Sequence, residues 1–179
     1  MESYQIINTT KEDLEFIYSL FEEAIAYQKR KNFPVWNGFD KDVLIKDVEQ
    51  KQHYKIIIEK EIACVFSVLK ADPLIWQEKE KGDAIYLHRI VAAPKYKGQK
   101  QFEKVLKWSI DFARQHEIKF IRMDTWAHNA NIIDYYKSYG FNLLQNVKTP
   151  DTPDLPIQNR NLEVALLEYT VNLKACHQP

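Results

Sequence analysis

The sequence predicts a mixed α/β (α+β) fold in a single domain over residues 1–179, and three patterns carry that expectation. Apolar residues recur at three- and four-residue steps in two long stretches, the mark of helices with one buried face. β-rich runs flank these stretches, and a strand–helix–strand order implies parallel neighbours. Two further β-rich runs meet at a tight charged turn, which implies an antiparallel hairpin.

Along the chain, Tyr4 to Asn8 reads as a strand, followed by Thr10 and Asp13 at the spacing of a capping box. Leu14, Ile17, Tyr18, Phe21, Ala24 and Ile25 then form the buried stripe of a first helix. The loop "KNFPVWNGFD" is expected to expose its aromatics, and Asp42 to Lys51 suggests a shorter helix. "YKIIIEK" and "EIACVFSVLK" make the hairpin, and the second run is apolar on both alternating faces, as in a covered central strand. "AIYLHRIVAA" is a third strand of that kind.

Phe102, Val105, Leu106, Ser109, Phe112 and Ala113 form the stripe of the next helix, and "FIRMDTW" is the strand after it. "NANIIDYYKSYG" is a helix stopped at Gly140, a position where a residue without Cβ adopts the left-handed cap at least cost. "FNLLQ" and "LEVALLEYTVN" are the last strands, separated by a loop with Pro150, Pro153 and Pro156. The expected order is therefore β-α-α-β-β-β-α-β-α-β-β, with no internal repeat and no linker that would split it.

Composition narrows the function classes. The 45% hydrophobic and 28% charged residues are ordinary for a globular protein, and 25 basic residues balance 25 acidic ones. No global field draws the chain to nucleic acid or to an anionic membrane, so a small-molecule or protein partner is expected. Cys64 and Cys176 stand in no metal-binding or disulfide-framework spacing. "MESYQIINTT" lacks the regions of a signal peptide, and no apolar run is long enough to span a membrane. A cytoplasmic protein is the expectation.

"IVAAPKYKGQKQFEKVL" sets the central question, because a strand, a proline stop, a basic turn and a helix follow one another there. Turns of that kind hold phosphates on backbone N–H groups and a positive helix end, usually with several glycines, and this one has Gly98 alone. By itself the turn is better read as a solvated loop, since a single-glycine match is unspecific. The strand "YLHRIVAAP", this turn with its helix, and "IRMDTWAHNANIIDYYKSYGF" together resemble the core of a GNAT (Gcn5-related) N-acetyltransferase from Ala84 to Phe141. The series Asn129, Tyr136, Gly140, Phe141 carries the resemblance most strongly.

The resemblance implies a mostly antiparallel sheet with helices on both faces and a central parallel pair splayed to admit coenzyme A. It also implies direct, metal-free acetyl transfer from acetyl-CoA to a primary amine of a small molecule or peptide. Ile90, Val91 and Ala92 would pair with the pantetheine arm, Asn129 would cap its helix and reach that arm, and Lys97, Gly98, Gln99, Lys100, Gln101, Phe102 and Glu103 would form the pyrophosphate turn. The family signature is (Arg or Gln)-x-x-Gly-x-(Gly or Ala). Laid on this chain, its basic position falls on Lys97 and its two small positions on Lys100 and Phe102, so both small residues are missing. Phe102 opens the core stripe of its helix and is expected to pack.

Tyr136 resembles the tyrosine that protonates the departing sulfur, although as a bare sequence feature it reads as core. Two residues are open as the base for the amine: His88, whose ordinary pKa suits the task, and Asp124 on the next strand. Each has a structural alternative, a satisfied core histidine and a cap or salt-bridge aspartate. Phe33, Trp36, Phe39, Trp126 and the loop from Lys148 to Asn161 are placed by analogy around the acceptor amine, with ordinary packing as the alternative. The rival function is a catalytically silent acyl-CoA-binding or sensing domain with a degenerate turn. A homodimer is compatible with either.

Overall fold

The computed structural model describes residues 3–32, 35 and 38–173. Its strands are β1 (Tyr4–Asn8), β2 (His53–Ile58), β3 (Glu61–Leu69), β4 (Ala84–Ala92), β5 (Phe120–Trp126), β6 (Asn142–Lys148) and β7 (Glu163–Thr170). The helices are α1 (Leu14–Arg30), α2 (Lys41–Glu49), α3 (Pro73–Trp76), α4 (Gln101–Gln115) and α5 (Ala130–Ser138). The strands lie in one sheet in the order β1-β2-β3-β4-β5-β7-β6, mostly antiparallel, with β4 and β5 the parallel pair. This is the mixed architecture that the order of runs implies.

The chain divides into two compact units, residues 1–68, 89–102 and 152–160 in one and 69–88, 103–151 and 161–179 in the other. In the first unit, Thr10 N–H donates to Asp13 Oδ2 at 2.8 Å, the reciprocal half of a capping box, and a short 3-10 turn leads into α1. Ile17, Tyr18, Leu20 and Phe21 are the buried side of that helix, each removal from water contributing about 1.5–3 kcal/mol. β1, β2 and β3 form an antiparallel meander whose β2–β3 register shifts opposite Ile56 and Ile57, where Ala63 is the extra residue of β3.

α2 runs from Lys41 to Glu49 and so begins and ends earlier than its sequence pattern suggests. Asp40 sets the start by accepting from the N–H groups of Asp42 and Val43, and Lys51, at φ +56°, turns the chain out of the helix. Asp47 and Ser67 form a buried polar cluster with Arg89, which reaches both of their side chains. His53 is fully buried beside it, with Nδ1 at 2.5 Å from Thr9 Oγ1.

In the second unit β5 pairs with β7, and β7 with β6, all antiparallel. α5 packs on β5 and β6 and stops before Gly140 at φ +93°, where a Cβ would also meet the Tyr169 ring at 3.2 Å. Both observations explain the glycine. α3 is missing from the sequence expectation: one turn is too short for a repeating apolar pattern. Its start signal is legible in hindsight as Asp72 followed by Pro73, a cap residue before a proline at the first helical position.

Candidate active site

In the second unit, the parallel ladder pairs Ala84, Ile85 and Tyr86 with Phe120, Ile121 and Arg122 and ends there, although both strands continue. The period of a strand places Tyr86 and His88 on one face of β4, and Arg122 and Asp124 on one face of β5. The last rung is a closed polar cluster. Arg122 is buried and donates to Glu168 Oε2 at 2.8 Å, to the Lys79 carbonyl at 2.8 Å and to the Tyr86 hydroxyl at 3.0 Å, while Trp76 stacks over its guanidinium. Burial pushes the Tyr86 phenol far above its ordinary pKa, so it stays protonated. The sequence signal for this cluster is Arg122 within the otherwise apolar start of "FIRMDTW".

One step further along the same faces, His88 stands between two carboxylates. Its Nε2 is 3.1 Å from Asp72 Oδ2 and its Nδ1 is 3.7 Å from Asp124 Oδ1. The His88 and Asp72 side chains are each 9% exposed and Asp124 is 15% exposed. The two residues left open as the base are therefore neighbours. Sequence reasoning missed Asp72, which lies on the unanticipated segment before α3.

Asn129 caps α5, its side chain accepting from Ile132 N–H at 3.2 Å. Tyr136 lies half-buried on the same helix, with its ring 6.3 Å from that of Phe141 and 5.4 Å from that of Tyr135. Trp126 ends β5, half-buried. His128 is exposed and meets Glu163 at 2.6 Å, as a loop residue would.

In the first unit, Ile90, Val91 and Ala92 end β4, with Val91 buried and its two neighbours partly so. A 3-10 turn at Pro94–Tyr96 follows, held by Ala93 N–H donating to the Ala63 carbonyl and by the Tyr96 hydroxyl donating to Glu61 at 2.8 Å. Gly98 then adopts φ +76° and Lys100 φ +52°, one on each side of Gln99, immediately before α4 begins at Gln101. A Cβ at Gly98 would meet nothing within 4 Å, so conformation and not space selects glycine there. Lys100 occupies the left-handed conformation that glycine adopts freely, at a cost of about 1–2 kcal/mol.

The turn therefore has a glycine-like backbone path without the second glycine, and it feeds a helix start, whose first N–H groups lack intrahelical acceptors. That path fits an anion such as the pyrophosphate of coenzyme A. Lys97 has a different setting from the one its sequence position suggests. Its ammonium lies 3.0 Å from the centre of the Tyr27 ring, where burial and the nearby Arg30 hold its pKa below the ordinary lysine value. Gln101 and Phe102 are both about 5% exposed, so Phe102 packs as its stripe implies, and Glu103 is exposed.

Of the residues placed around the acceptor, Phe33 and Trp36 lie outside the described residues. Phe39 is not the exposed aromatic expected of its loop: it stacks on Tyr18 at 5.8 Å and meets Phe21 edge-on at 5.2 Å. In the proline-containing loop Leu155 and Gln158 are buried, and Arg160 Nε donates to the Leu155 carbonyl at 2.7 Å. Among the described residues no helix is long and apolar enough to cross a membrane.

The family model described as the acetyltransferase (GNAT) family matches residues 16–141. A curated relative, the uncharacterized N-acetyltransferase YesJ of Bacillus subtilis (strain 168), is 26% identical over 141 residues, covering 74% of this chain and 78% of the relative. The solved GNAT-family acetyltransferase of Listeria monocytogenes 4b F2365 superposes with a TM-score of 0.76 at 17% identity, covering 94% of this chain and 95% of that one. YncA of Salmonella typhimurium, a putative acetyltransferase solved with its cofactor acetyl-CoA, gives a TM-score of 0.65 at 16% identity over 99% of this chain and 98% of that one. The chain thus belongs to the acetyltransferase (GNAT) family, N-acetyltransferases that use acetyl-CoA as cosubstrate and need no metal.

Proposed function

We propose that this protein, a single acetyltransferase domain, transfers an acetyl group from acetyl-CoA directly to a primary amine of a small molecule or peptide, in the cytoplasm. The observation that carries the reading is His88 between two carboxylates, one step beyond the end of the β4–β5 ladder. An alkylammonium with a pKa of roughly 8–10 must lose a proton before it can attack, and a histidine beside a carboxylate is suited to receive one. Asp124, the more exposed of the two carboxylates, also favours a cationic acceptor over a neutral one.

When bound, acetyl-CoA supplies an activated thioester carbonyl, and transfer makes an N–C bond as the C–S bond breaks. The chain's residues handle the protons and the positioning. The His88–Asp124 pair takes the amine proton, and Tyr136 donates its phenolic proton to the departing sulfur. Ile90, Val91 and Ala92 offer a strand edge to the pantetheine arm, and Asn129 reaches it from its cap. Gly98 to Glu103 holds the pyrophosphate, with the φ of Lys100 keeping the backbone path that the missing glycine would give.

A two-stage experiment tests this. Acetyl-CoA at millimolar concentration should raise the melting temperature, since binding to the native state stabilises it. A panel of polyamines, amino acids and peptide N-termini should then release coenzyme A thiol with at least one member. Binding without release across the panel favours the silent sensor, and no thermal shift removes both readings. Tyr136→Phe should lower kcat with acetyl-CoA affinity nearly unchanged; equal loss in both would make its role structural.

A further inference from the structure

We propose that Asp72 is the positioning residue of the base: its buried carboxylate accepts the Nε2–H of His88, fixes the ring's tautomer and leaves Nδ1 to receive the amine proton on the side of Asp124. The inference rests on the acetyltransferase reading above and adds to it a residue from a segment outside the sequence motifs.

The backbone around Asp72 is held from both directions. Its N–H donates to Glu80 Oε2 at 2.7 Å, its carbonyl accepts from Trp76 N–H at 3.0 Å, and Pro73 fixes the start of α3. Glu80 in turn accepts from Gly82 N–H at 3.0 Å. Asp72 occupies the cap position of α3, where an aspartate ordinarily accepts from the helix's own N–H groups. Here the carboxylate makes no cap hydrogen bond and reaches His88 instead. A carboxylate this buried costs several kcal/mol unless a donor meets it, and the imidazole is the donor within reach.

An ionised carboxylate is acceptor-only, so its partner nitrogen must carry a proton. Nε2 of His88 is that nitrogen: it lies 3.1 Å from Asp72 Oδ2, near enough to pair, although the two atoms do not meet hydrogen-bond geometry in this structure, and catalytic hydrogen bonds commonly tighten only when substrate binds. The neutral ring then carries its lone pair on Nδ1, facing Asp124 Oδ1. The arrangement repeats the logic of a base oriented by a third group, in which the buried acid holds the ring and stabilises the imidazolium that forms. Other charged groups nearby are engaged elsewhere: Arg89, next in the chain, pairs with Asp47, and Arg122 with Glu168. Asp72 and Asp124 each bring a carboxylate to one nitrogen of the His88 ring.

The test is Asp72→Asn in the full chain, with folding checked by its melting temperature. The expected result is a fall in kcat/KM of at least about 10-fold with acetyl-CoA affinity unchanged. The acid limb of the pH–rate profile should move to lower pH, because a lost negative neighbour makes the imidazolium less favoured. Asp72→Glu should recover part of the rate. A second measurement is independent of turnover: ¹⁵N NMR of the His88 ring should find the neutral wild-type ring protonated on Nε2, and the variant ring with a mixed tautomer. A wild-type ring protonated on Nδ1, or a variant whose rate and acid limb match the wild type, overturns the proposal. If no amine releases thiol in the wild type, the acetyltransferase reading fails by itself, and the NMR tautomer still decides whether Asp72 holds His88.

Discussion

At Tyr86 and Arg122 the parallel strands are in register, and the guanidinium there is matched by a carboxylate, a carbonyl, a phenol and an aromatic face. Two residues further along the same faces, His88 and Asp124 are past the last rung of the ladder, and their contact is a looser 3.7 Å. Both pairs are polar groups removed from most of the water. The first spends its hydrogen bonds on fixing β5 to its neighbours, and the second keeps groups that can gain or lose a proton. Proximity along a strand therefore says little about role, and the hydrogen-bond inventory separates the two.

The comparison breaks most sharply on paired substitutions. His88→Gln should lower kcat/KM by about 10²–10⁴-fold in the thiol-release assay, while the urea midpoint moves little. Arg122→Met should do the reverse in its primary effect. Leaving the partly buried Glu168 without its partner costs about 3 kcal/mol of stability, read from urea unfolding. If His88→Gln proves as destabilising as Arg122→Met, the two rungs have the same structural job.

A third cluster, in the other unit, sharpens the contrast by testing a histidine without a proton-transfer role. Burial, with the Arg89 charge beside it, pushes the His53 pKa down to about 3. A depressed histidine pKa means that the unfolded chain takes up a proton the native state refuses. Stability is full above the unfolded pKa of about 6.5 and should fall by up to about 1.4 kcal/mol per pH unit between there and about 3. Urea unfolding across that range should show the slope in the wild type and a shallower one in His53→Asn. Equal slopes would mean that carboxylates alone set the acid limit.

The smallest effect is expected at Lys100. Its φ of +52° should make Lys100→Gly stabilising by about 0.5–1 kcal/mol, the left-handed penalty less the entropy of glycine. The same variant should bind acetyl-CoA at least as tightly, read by thermal shift. Weaker binding would assign the lysine ammonium, and not the backbone path, as what matters at this position.

The boundaries of "FIRMDTW" coincide with β5, Asn129 caps α5 and Gly140 follows its end at a positive φ, because these positions are set by local rules. Cap chemistry, a left-handed stop and a period of two need only neighbours in sequence. Phe102 is likewise legible from its helical stripe. The glycine-poor turn is harder to read, since its sequence departs from the family pattern at Lys100 and Phe102 while Lys100 still adopts a left-handed φ of +52°. A residue type reports the cost of a conformation and not whether the surrounding chain imposes it.

The class of fold, the order of the strands and of every helix but α3, and the family are legible in the sequence, because periodicity and short-range motifs carry that information. Packing of the chain is what makes His88 and Asp124 neighbours and brings Asp72, from the cap of a one-turn helix with no readable pattern, to the other side of the ring. The physical reason is range. A helix or a cap is selected by contacts within a few residues, whereas a proton-handling site is assembled from side chains that sequence separates and only the packed sheet brings within hydrogen-bond distance.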